Sequence, residues 1–433
     1  MAIIPQPLLF GWEDLQGLGD LERLQCVLEA IPDEPLMALL EHDRGRGRNT
    51  YPVRAMWNAT LAGIVFQHPS VETLRRELDR KGQLRALCGL AGHAPSAWAF
   101  SRFFHRLLGH LDAFDTLFDQ LVEQLRELLP DFGQRLAIDS KALESFATHR
   151  PKQQSPDGRR DTDADYGIKS YRGTHPDGRA WETIKRWFGY KIHLLVDTTY
   201  ELPVAWTLTK ASTSDIAEAP ELLKQLETRH PLVLGAARLL TADRGYDGTA
   251  FLTACWDDYH IKPIIDIRKM WKDGEDTRLL PGQTNVMYDY RGTVYCHDPV
   301  SDVTRTMSNG GFEKDRQTLK KRCPAQTAGT PCAGQAQCPV ASGLRIPLST
   351  DRRVFTPVDR ASYQWEREYK HRTAVERVNS RLDVSFGFEL HTIRGIKKMQ
   401  MRSGLALIVM VAMAVGRIRQ QHPELMRSLV RSA

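Results

Sequence analysis

The hydrophobic periodicity of this chain changes at Pro130, and the change limits the folds open to it. Before Pro130, apolar residues recur at three- and four-residue spacing between short breaks, as in "YPVRAMWNATLAGIVFQ". This spacing predicts an all-helical domain over residues 1–130. Ser70, with Glu72 and Leu74 after it, predicts a capped helix start. Short helices such as "RRELDRKGQLR" fit either a helix-turn-helix DNA-binding domain or an ordinary helical bundle with a basic surface.

After Pro130 the pattern is that of a mixed α/β sheet. Apolar runs predict strands within "RLAIDSKAL", over residues 188–196 and 203–208, and within "ARLLTADRGYDG". A helical segment with Asp215 in its first turn separates the strand pair from the later strand. Strands that alternate with helices indicate a sheet with helices packed on it. We therefore predict a core built in two parts, from residues 131–269 and 360–433.

Two segments interrupt this pattern. Residues 152–179 are rich in Gly, Pro, Asp and Arg, which is typical of a mobile basic loop. Residues 270–359 show little helical period and many Gly and Pro, so we predict an insertion there.

Composition and the chain start favour a soluble cytoplasmic protein. The 433 residues allow two to four domains, with 42% hydrophobic and 26% charged residues. The start, "MAIIPQPLLFGWEDL", lacks the features of a secretory signal. The longest apolar run, Leu405 to Val415, is too short to cross a bilayer, so we predict no membrane partner.

Positive charge concentrates at the end of the chain. Between His391 and Ala433 there are eight Lys or Arg, Lys397 and Lys398 among them, against Glu424 as the only acid. Such a segment suggests a polyanion partner, although a solvated helix surface has the same composition.

Three acids occupy positions suited to chemistry. Asp139 follows the apolar run "LAI" and Asp243 follows "LLTA", so each lies near the end of a predicted strand. Alone, either could be a helix cap or a turn former. The third acid, Glu376, lies on a predicted helix.

Grouped carboxylates repel unless a cation lies among them, and Mg²⁺ or Mn²⁺ is the hard ion that such oxygens bind. Two such ions about 3.5–4 Å apart can activate a nucleophile and stabilise a leaving oxygen at a phosphodiester.

Glu376 shares its helix face with two other polar side chains. Tyr369, Arg372 and Glu376 stand at offsets of 0, 3 and 7, which places them on one side of a continuous helix. The spacing fits a phosphate-binding face, and it also fits an ordinary Arg–Glu pair at i, i+4.

Taken together, these motifs resemble the DDE transposases of bacterial insertion sequences. The motifs that carry the resemblance are, in order, "LAIDSKAL", "FGYKIHLLVD" with "LPVAWTLTKASTSD", "TADRGYDG" and "YKHRTAVER". The helical segment before Pro130 resembles the N-terminal domain of the same family, so the resemblance spans most of the chain.

The resemblance implies a fold and a site. The fold is a ribonuclease H-like mixed sheet flanked by helices, with an N-terminal all-helical domain and a cysteine-containing insertion before the last catalytic acid. Asp139, Asp243 and Glu376 would be the catalytic ligands of two Mg²⁺ or Mn²⁺ ions. Tyr369 and Arg372 would contact DNA phosphate near the cleavage site, and Arg can do so with two parallel hydrogen bonds. We add Lys397 and Lys398, in the basic terminal segment, as predicted DNA-binding residues.

One position departs from the family pattern. A Lys or Arg is expected seven residues after the Glu, and this chain has Asp383 there. An acid at that place would repel phosphate unless it binds a base such as Arg381 or Lys397.

The expected function is transposition. The enzyme would cut phosphodiesters at the ends of its element and join the 3′-OH to target DNA. Its partners would be double-stranded DNA, namely terminal inverted repeats and target, and a second copy of itself in the DNA complex. We expect it in the bacterial cytoplasm, at the nucleoid when bound. Two alternatives stay open: a metal-dependent nuclease that does not join, and an impaired derivative that only binds DNA.

The insertion holds four of the seven cysteines, Cys296, Cys323, Cys332 and Cys338. An odd number of cysteines without a signal peptide does not describe a disulfide framework. Within the insertion, "KRCPAQTAGTPCAGQAQCP" has few large apolar residues to fold around, and such a stretch often needs a metal, here a structural zinc ion. No Cys-x-x-Cys pair is present, so thiols scattered in a long loop are the alternative.

Overall fold

The protein is described here from a computed structural model, over residues 19–46, 49–147, 161–175, 177–298 and 300–427. The part before Pro130 is helical, as the periodicity predicts. Ser70 caps one helix as expected: its Oγ accepts a hydrogen bond from Thr73 N, and Thr73 Oγ1 accepts one from Ser70 N, each 3.3 Å long. The described helices of this part are α1 (Leu21–Ala30), α2 (Glu34–Arg44), α3 (Val53–Val65), α4 (Val71–Arg80), α5 (Gly82–Cys88), α6 (Ala97–Leu107) and α7 (Leu111–Leu128).

A mixed sheet follows, which confirms the predicted fold class. Its strands are β1 (Arg135–Glu144), β2 (Asp165–Thr174), β3 (Ala180–Asp197), β4 (Leu202–Lys210), β5 (Leu239–Ala242) and β6 (Lys262–Ile265). The order is β2-β3-β1-β5-β6, and β4 also pairs with β3. β3 runs antiparallel to β1, β2 and β4, whereas β5 runs parallel to β1 and β6. Helices α8 (Asp215–Arg229), α9 (Pro231–Ala236) and α10 (Thr249–Asp257) connect its second half.

The prediction of a mobile loop over residues 152–179 is wrong for the second half of that segment. Residues 148–160 lie outside the described residues, but 165–174 form β2, and β3 begins at Ala180 rather than at Phe188. Gly167 faces Trp187 and Gly173 faces Trp181 across the two strands. A Cβ at either glycine would lie within 2.6 Å of the facing ring. Glycine disfavours a strand by propensity, but here the indole rings cover the glycines and cross-strand packing overrides that preference.

The insertion predicted over 270–359 forms two small sheets. One holds β7 (Thr277–Leu279), β8 (Val286–Asp289), β9 (Val294–His297) and β10 (Thr304–Thr306), and the other holds β11 (Ser308–Glu313), β12 (Thr318–Arg322) and β13 (Leu344–Pro347). A short helix, α11 (Pro324–Ala328), follows β12. Most members of their shared hydrophobic cluster, such as Val286, Leu319 and Phe355, come from the insertion itself.

The chain then returns to the sheet through three helices, α12 (Tyr363–Tyr369), α13 (Thr373–Phe386) and α14 (Ile396–Arg419). By length and mean hydropathy, 1.6, α14 could cross a membrane, but 89% of its apolar window is buried inside the protein. It packs against α1, α7 and β4. One hydrophobic cluster therefore includes the N-terminal helices, the sheet and α14. The predicted domain boundaries at 130, 269 and 359 stay predictions.

The crossing of α14 over α1 gives a test of this shared core. A Cβ at Gly416 would lie 2.4 Å from Cys26 Sγ and 3.0 Å from the Cys26 carbonyl oxygen. We expect Gly416→Val to lower the free energy of unfolding by about 1–3 kcal/mol because the helices must move apart. Urea unfolding measures the loss. Gly235→Ala is the control, since no neighbouring atom lies within 4 Å of a Cβ there. Equal stability of Gly416→Val and the parent protein would contradict the close crossing.

Candidate active site

Two of the three predicted acids meet at the sheet. Asp243 directly follows β5, as predicted, but Asp139 lies in the middle of β1, because the strand continues to Glu144 instead of ending at the acid. β1 and β5 are parallel, and Ala137 pairs with Thr241. Two residues further along each chain are Asp139 and Asp243, so both carboxylates lie at the same level of adjacent strands. Asp139 Oδ1 accepts a hydrogen bond from Ser140 N at 2.8 Å, and Asp243 Oδ1 accepts one from Gly245 N at 2.7 Å. The strand pairing thus produces the proximity that the sequence only suggested.

The electrostatics of Asp139 reflect this closeness. Burial raises the pKa of Asp139 to about 6; the charge of Lys169 opposes that shift, and the charge of Asp243 adds to it. A carboxylate that is buried beside a second carboxylate is stabilised by a cation.

The helix that carries the third acid is interrupted, so the predicted continuous helix is wrong. α12 ends at Tyr369, a 3₁₀ turn spans Lys370–Arg372, and α13 begins at Thr373. Residues three apart eclipse one another in a 3₁₀ turn, which places Arg372 over the Tyr369 ring, 5.8 Å from its centroid. Trp365 stacks on the same tyrosine, with centroids 4.6 Å apart and an interplanar angle of 13°.

Arg372 lies between the acids. The 3₁₀ turn contacts β1 and β5. Burial acts to lower the pKa of Arg372, but the carboxylates of Glu376 and Asp139 and the Tyr369 ring together raise it. Arg372 Nη1 forms an ion pair with Glu376 Oε1 at 2.7 Å. The i, i+4 pair considered from the sequence is therefore present, and it holds Glu376 on a half-exposed surface.

This pairing decides how well the acids fit a metal. Across the described ranges, no three His, Cys, Asp or Glu side chains form a ready metal-binding group. Asp139 and Asp243 fit a divalent cation by donor type, burial and mutual repulsion. Glu376 could join them only after it leaves Arg372.

Asp383 has a base partner, though not one of those expected. Lys141 Nζ lies 2.5 Å from Asp383 Oδ2, and the two side chains are 15% and 25% exposed. Arg381 instead donates to the Glu201 carbonyl oxygen. Lys141 is two residues after Asp139, so both point to the same face of β1. The two-residue spacing of Asp139 and Lys141 is visible in the sequence. The contact of Lys141 with Asp383 is not, because no sequence pattern links the two positions.

Two further acids of this part of the chain have structural partners. Asp247 is buried in an ion pair with Arg353 at 2.6 Å. Asp197 Oδ2 accepts from Gly133 N at 2.8 Å and its Oδ1 accepts from Tyr200 N at 2.7 Å, as expected of a turn residue. Both carboxylates are therefore occupied by the fold.

Lys169 is a site residue that sequence reasoning missed. It lies in the segment predicted as a loop, and its Nζ is 3.2 Å from the Ser140 carbonyl oxygen. By contrast, Lys397 and Lys398 are exposed at the start of α14, and within the described residues neither forms an ion pair with the three acids.

Three of the four cysteines of the insertion lie near the fourth, Cys296. Burial raises the pKa of Cys296, and Cys323, Cys338 and Cys332 add to the rise. Asn285 Nδ2 lies 3.4 Å from Cys338 Sγ. All seven cysteines are free thiols.

Two family models match this chain. The family model "Transposase DDE domain" matches residues 131–412, and the model "Transposase domain (DUF772)" matches residues 14–106. Among solved structures, a cryo-EM structure of a piggyBac transposase synaptic complex with hairpin DNA is similar at 12% identity. That match covers 97% of this chain and 80% of that one, with a TM-score of 0.38. The comparison with curated proteins gave no match.

The raised pKa of Asp139 makes a prediction about pH. The folded pKa of about 6 lies above the ordinary value of about 3.9, so the native state binds the extra proton and wild type loses stability as pH rises between these values. In metal-free buffer, we expect Asp139→Asn to be more stable than wild type at pH 8, by on the order of 2 kcal/mol, and equally stable near pH 4. Urea unfolding measures both. The exposed Asp258→Asn is the control, and a pH-independent difference for Asp139→Asn would contradict the buried charge.

The Lys141–Asp383 pair makes a second prediction. Removing either partner leaves a half-buried charge, so Lys141→Ala and Asp383→Ala should each destabilise the protein. The double variant should cost less than the sum, with a coupling of about 1 kcal/mol. The exposed Lys370–Glu366 pair, 3.5 Å apart, is the comparison and should couple by only about 0.3 kcal/mol. Additive effects at Lys141 and Asp383 would show that the contact contributes nothing.

Proposed function

Because this chain belongs to the transposase DDE domain family and is a DNA transposase, we propose that it cuts phosphodiesters at the ends of its own element and joins the freed 3′-OH to target DNA. The observation that carries the proposal is the convergence of Asp139, Asp243 and Arg372 at one level of the sheet. Two acids and a guanidinium fit a site that must hold cations and a phosphate together.

Asp139, Asp243 and Glu376 are the proposed ligands of two Mg²⁺ or Mn²⁺ ions. When bound, such ions activate a water or hydroxyl nucleophile and stabilise the departing oxygen. Asp139, within β1, and Asp243, directly after β5, suit this role because the backbone of the sheet fixes their positions.

Arg372 is the proposed phosphate-binding residue. Its side chain is 23% exposed and already lies beside Asp139, so it can reach a phosphate without moving far. A phosphate oxygen would replace the Glu376 carboxylate as its partner, and that exchange would free Glu376 to turn toward the two aspartates. Tyr369, which stacks on Trp365, helps to hold the Arg372 guanidinium in place through the cation–π contact.

The Lys141–Asp383 pair supports an active enzyme over an impaired derivative. An unpaired Asp383 would repel phosphate. Its carboxylate is neutralised by a lysine that shares a strand face with Asp139. The ion pair thus removes the repulsion that an unpaired Asp383 would exert on a phosphate.

The proposed partners are terminal inverted repeats and target DNA, bound by a homodimer in the bacterial cytoplasm. The basic segment with Lys397 and Lys398 would contact the DNA backbone outside the cleavage site, since both side chains are exposed.

Cleavage and joining assays test the proposal. Wild type with Mg²⁺ should nick and join a DNA that carries the inverted repeats flanking its gene. Asp243→Ala and Glu376→Gln should abolish both steps and retain DNA binding, because they remove proposed metal ligands and no surface base. Asp258→Ala removes an exposed carboxylate from the same part of the chain as Asp243, and this variant should behave as wild type.

The other outcomes identify the rivals. Cutting without joining would support a nuclease. DNA binding by wild type without metal-dependent cleavage would contradict both enzyme functions and support a derivative that only binds.

We also propose that the insertion binds one structural zinc ion through Cys296, Cys323, Cys332 and Cys338. Three thiols lie near that of Cys296, although they are not yet arranged as ligands. Burial with like neighbours raises the Cys296 pKa, and a cation that takes thiolates reverses such a shift.

Metal analysis tests the zinc site. We expect about one equivalent of zinc per chain, since structural sites are normally filled. Cys338→Ser should lose the ion, whereas Cys88→Ala, a buried thiol of the N-terminal helices, should keep it. Less than about half an equivalent in wild type would exclude the site.

A further inference from the structure

β3 extends well beyond the body of the sheet. Residues 189–197 of β3 pair with β1, whereas residues 180–188 pair only with β2 among the described strands. Residues 180–186 are all exposed. We call residues 165–174 together with 180–188 the hairpin arm. It is a two-stranded ribbon that leaves the sheet where Gly189 pairs with Glu144. From the ribbon, Lys169 reaches the Ser140 carbonyl oxygen, next to Asp139.

The hairpin arm is braced rather than loose. The Trp187 and Trp181 rings cover Gly167 and Gly173 on one face of the ribbon. Trp187 Nε1 also donates to the Tyr190 carbonyl oxygen at 3.0 Å, which ties the base of the arm to the sheet. An isolated two-stranded ribbon is marginally stable in water, so these contacts fix the direction in which the arm points.

The same face carries a repulsive pair of charges. Lys169 and Lys185 stand directly opposite each other in the register, and like charges in that position destabilise a ribbon. Within the described ranges, neither lysine forms an ion pair with a carboxylate; Lys169 Nζ contacts Ser140 O and Oγ. Glu182 lies on the opposite face, because its number has the other parity along β3.

We infer that the lysine face of the hairpin arm binds the DNA backbone next to the cleavage site. A phosphate between Lys169 and Lys185 would relieve their repulsion, and the charge of Lys169 already acts on Asp139. The arm therefore holds the strand that enters the site. This inference rests on the proposed function, since it assumes that DNA is the polyanion.

The arm offers its own matched control. Lys185 and Arg186 are adjacent, exposed and of equal charge, but successive strand residues point to opposite faces. Lys185→Gln and Arg186→Gln therefore make the same change in net charge on the two faces of one ribbon.

The experiment measures how DNA affinity depends on salt, with a fluorescent duplex of arbitrary sequence and full-length protein. Each phosphate contact contributes a slope of about −0.9 in log K against log salt. We expect Lys185→Gln to reduce the magnitude of the slope by about 0.9 and Arg186→Gln to leave it unchanged. The melting temperature of Lys185→Gln should equal or exceed that of wild type, because a repulsive pair is lost.

The remaining outcomes separate this inference from the proposed function. If both variants change the slope equally, or neither does, while wild type still cuts element-end DNA, only the role of the arm is overturned. A Lys185→Gln variant that binds DNA normally but changes the oligomer mass would assign the face to a second copy of the chain and overturn the inference. If wild type neither binds nor cuts DNA, both the inference about the hairpin arm and the proposed function are overturned.

Discussion

The parallel pairing of β1 with β5 is the constraint on which the site depends. Its register brings Asp139 and Asp243 to one level, and burial makes their proximity unfavourable without a cation. The sheet can impose this because its strands lie in one large hydrophobic cluster with the N-terminal helices and α14. The packed core thus keeps the two carboxylates close together, although their charges repel.

Charge around this pair is balanced from distant parts of the chain. Arg372 comes from the turn between α12 and α13, Lys141 from β1 and Lys169 from β2. Arg372 is held by Glu376 and Lys141 by Asp383, whereas Lys169 rests on the carbonyl of Ser140. Arg372 can exchange its carboxylate partner for a phosphate, whereas Lys141 keeps Asp383 neutralised and Lys169 needs no exchange. The site is therefore arranged to bind an anion with little rearrangement of the backbone.

The sequence reveals parts of this arrangement and hides others for physical reasons. An apolar run that ends in an acid predicts a strand that carries the acid, so Asp139 and Asp243 can be found by pattern, although β1 continues past Asp139 to Glu144. The break after Tyr369 cannot, because a 3₁₀ turn differs from an α-helix only in which carbonyl each amide contacts. β2 is hidden because its glycines depend on tryptophans across the ribbon. The Lys141–Asp383 contact joins residues 242 apart, a distance at which no periodicity carries information.

The central claim is that Asp139 and Asp243 bind a divalent cation and that Glu376 leaves Arg372 to join them. Anomalous diffraction from crystals grown with Mn²⁺ and element-end DNA tests it most directly. We expect a manganese peak coordinated by both aspartates, with Glu376 turned toward it and Arg372 on a phosphate oxygen. Manganese bound elsewhere, or Glu376 still paired with Arg372 beside an occupied site, would contradict the account.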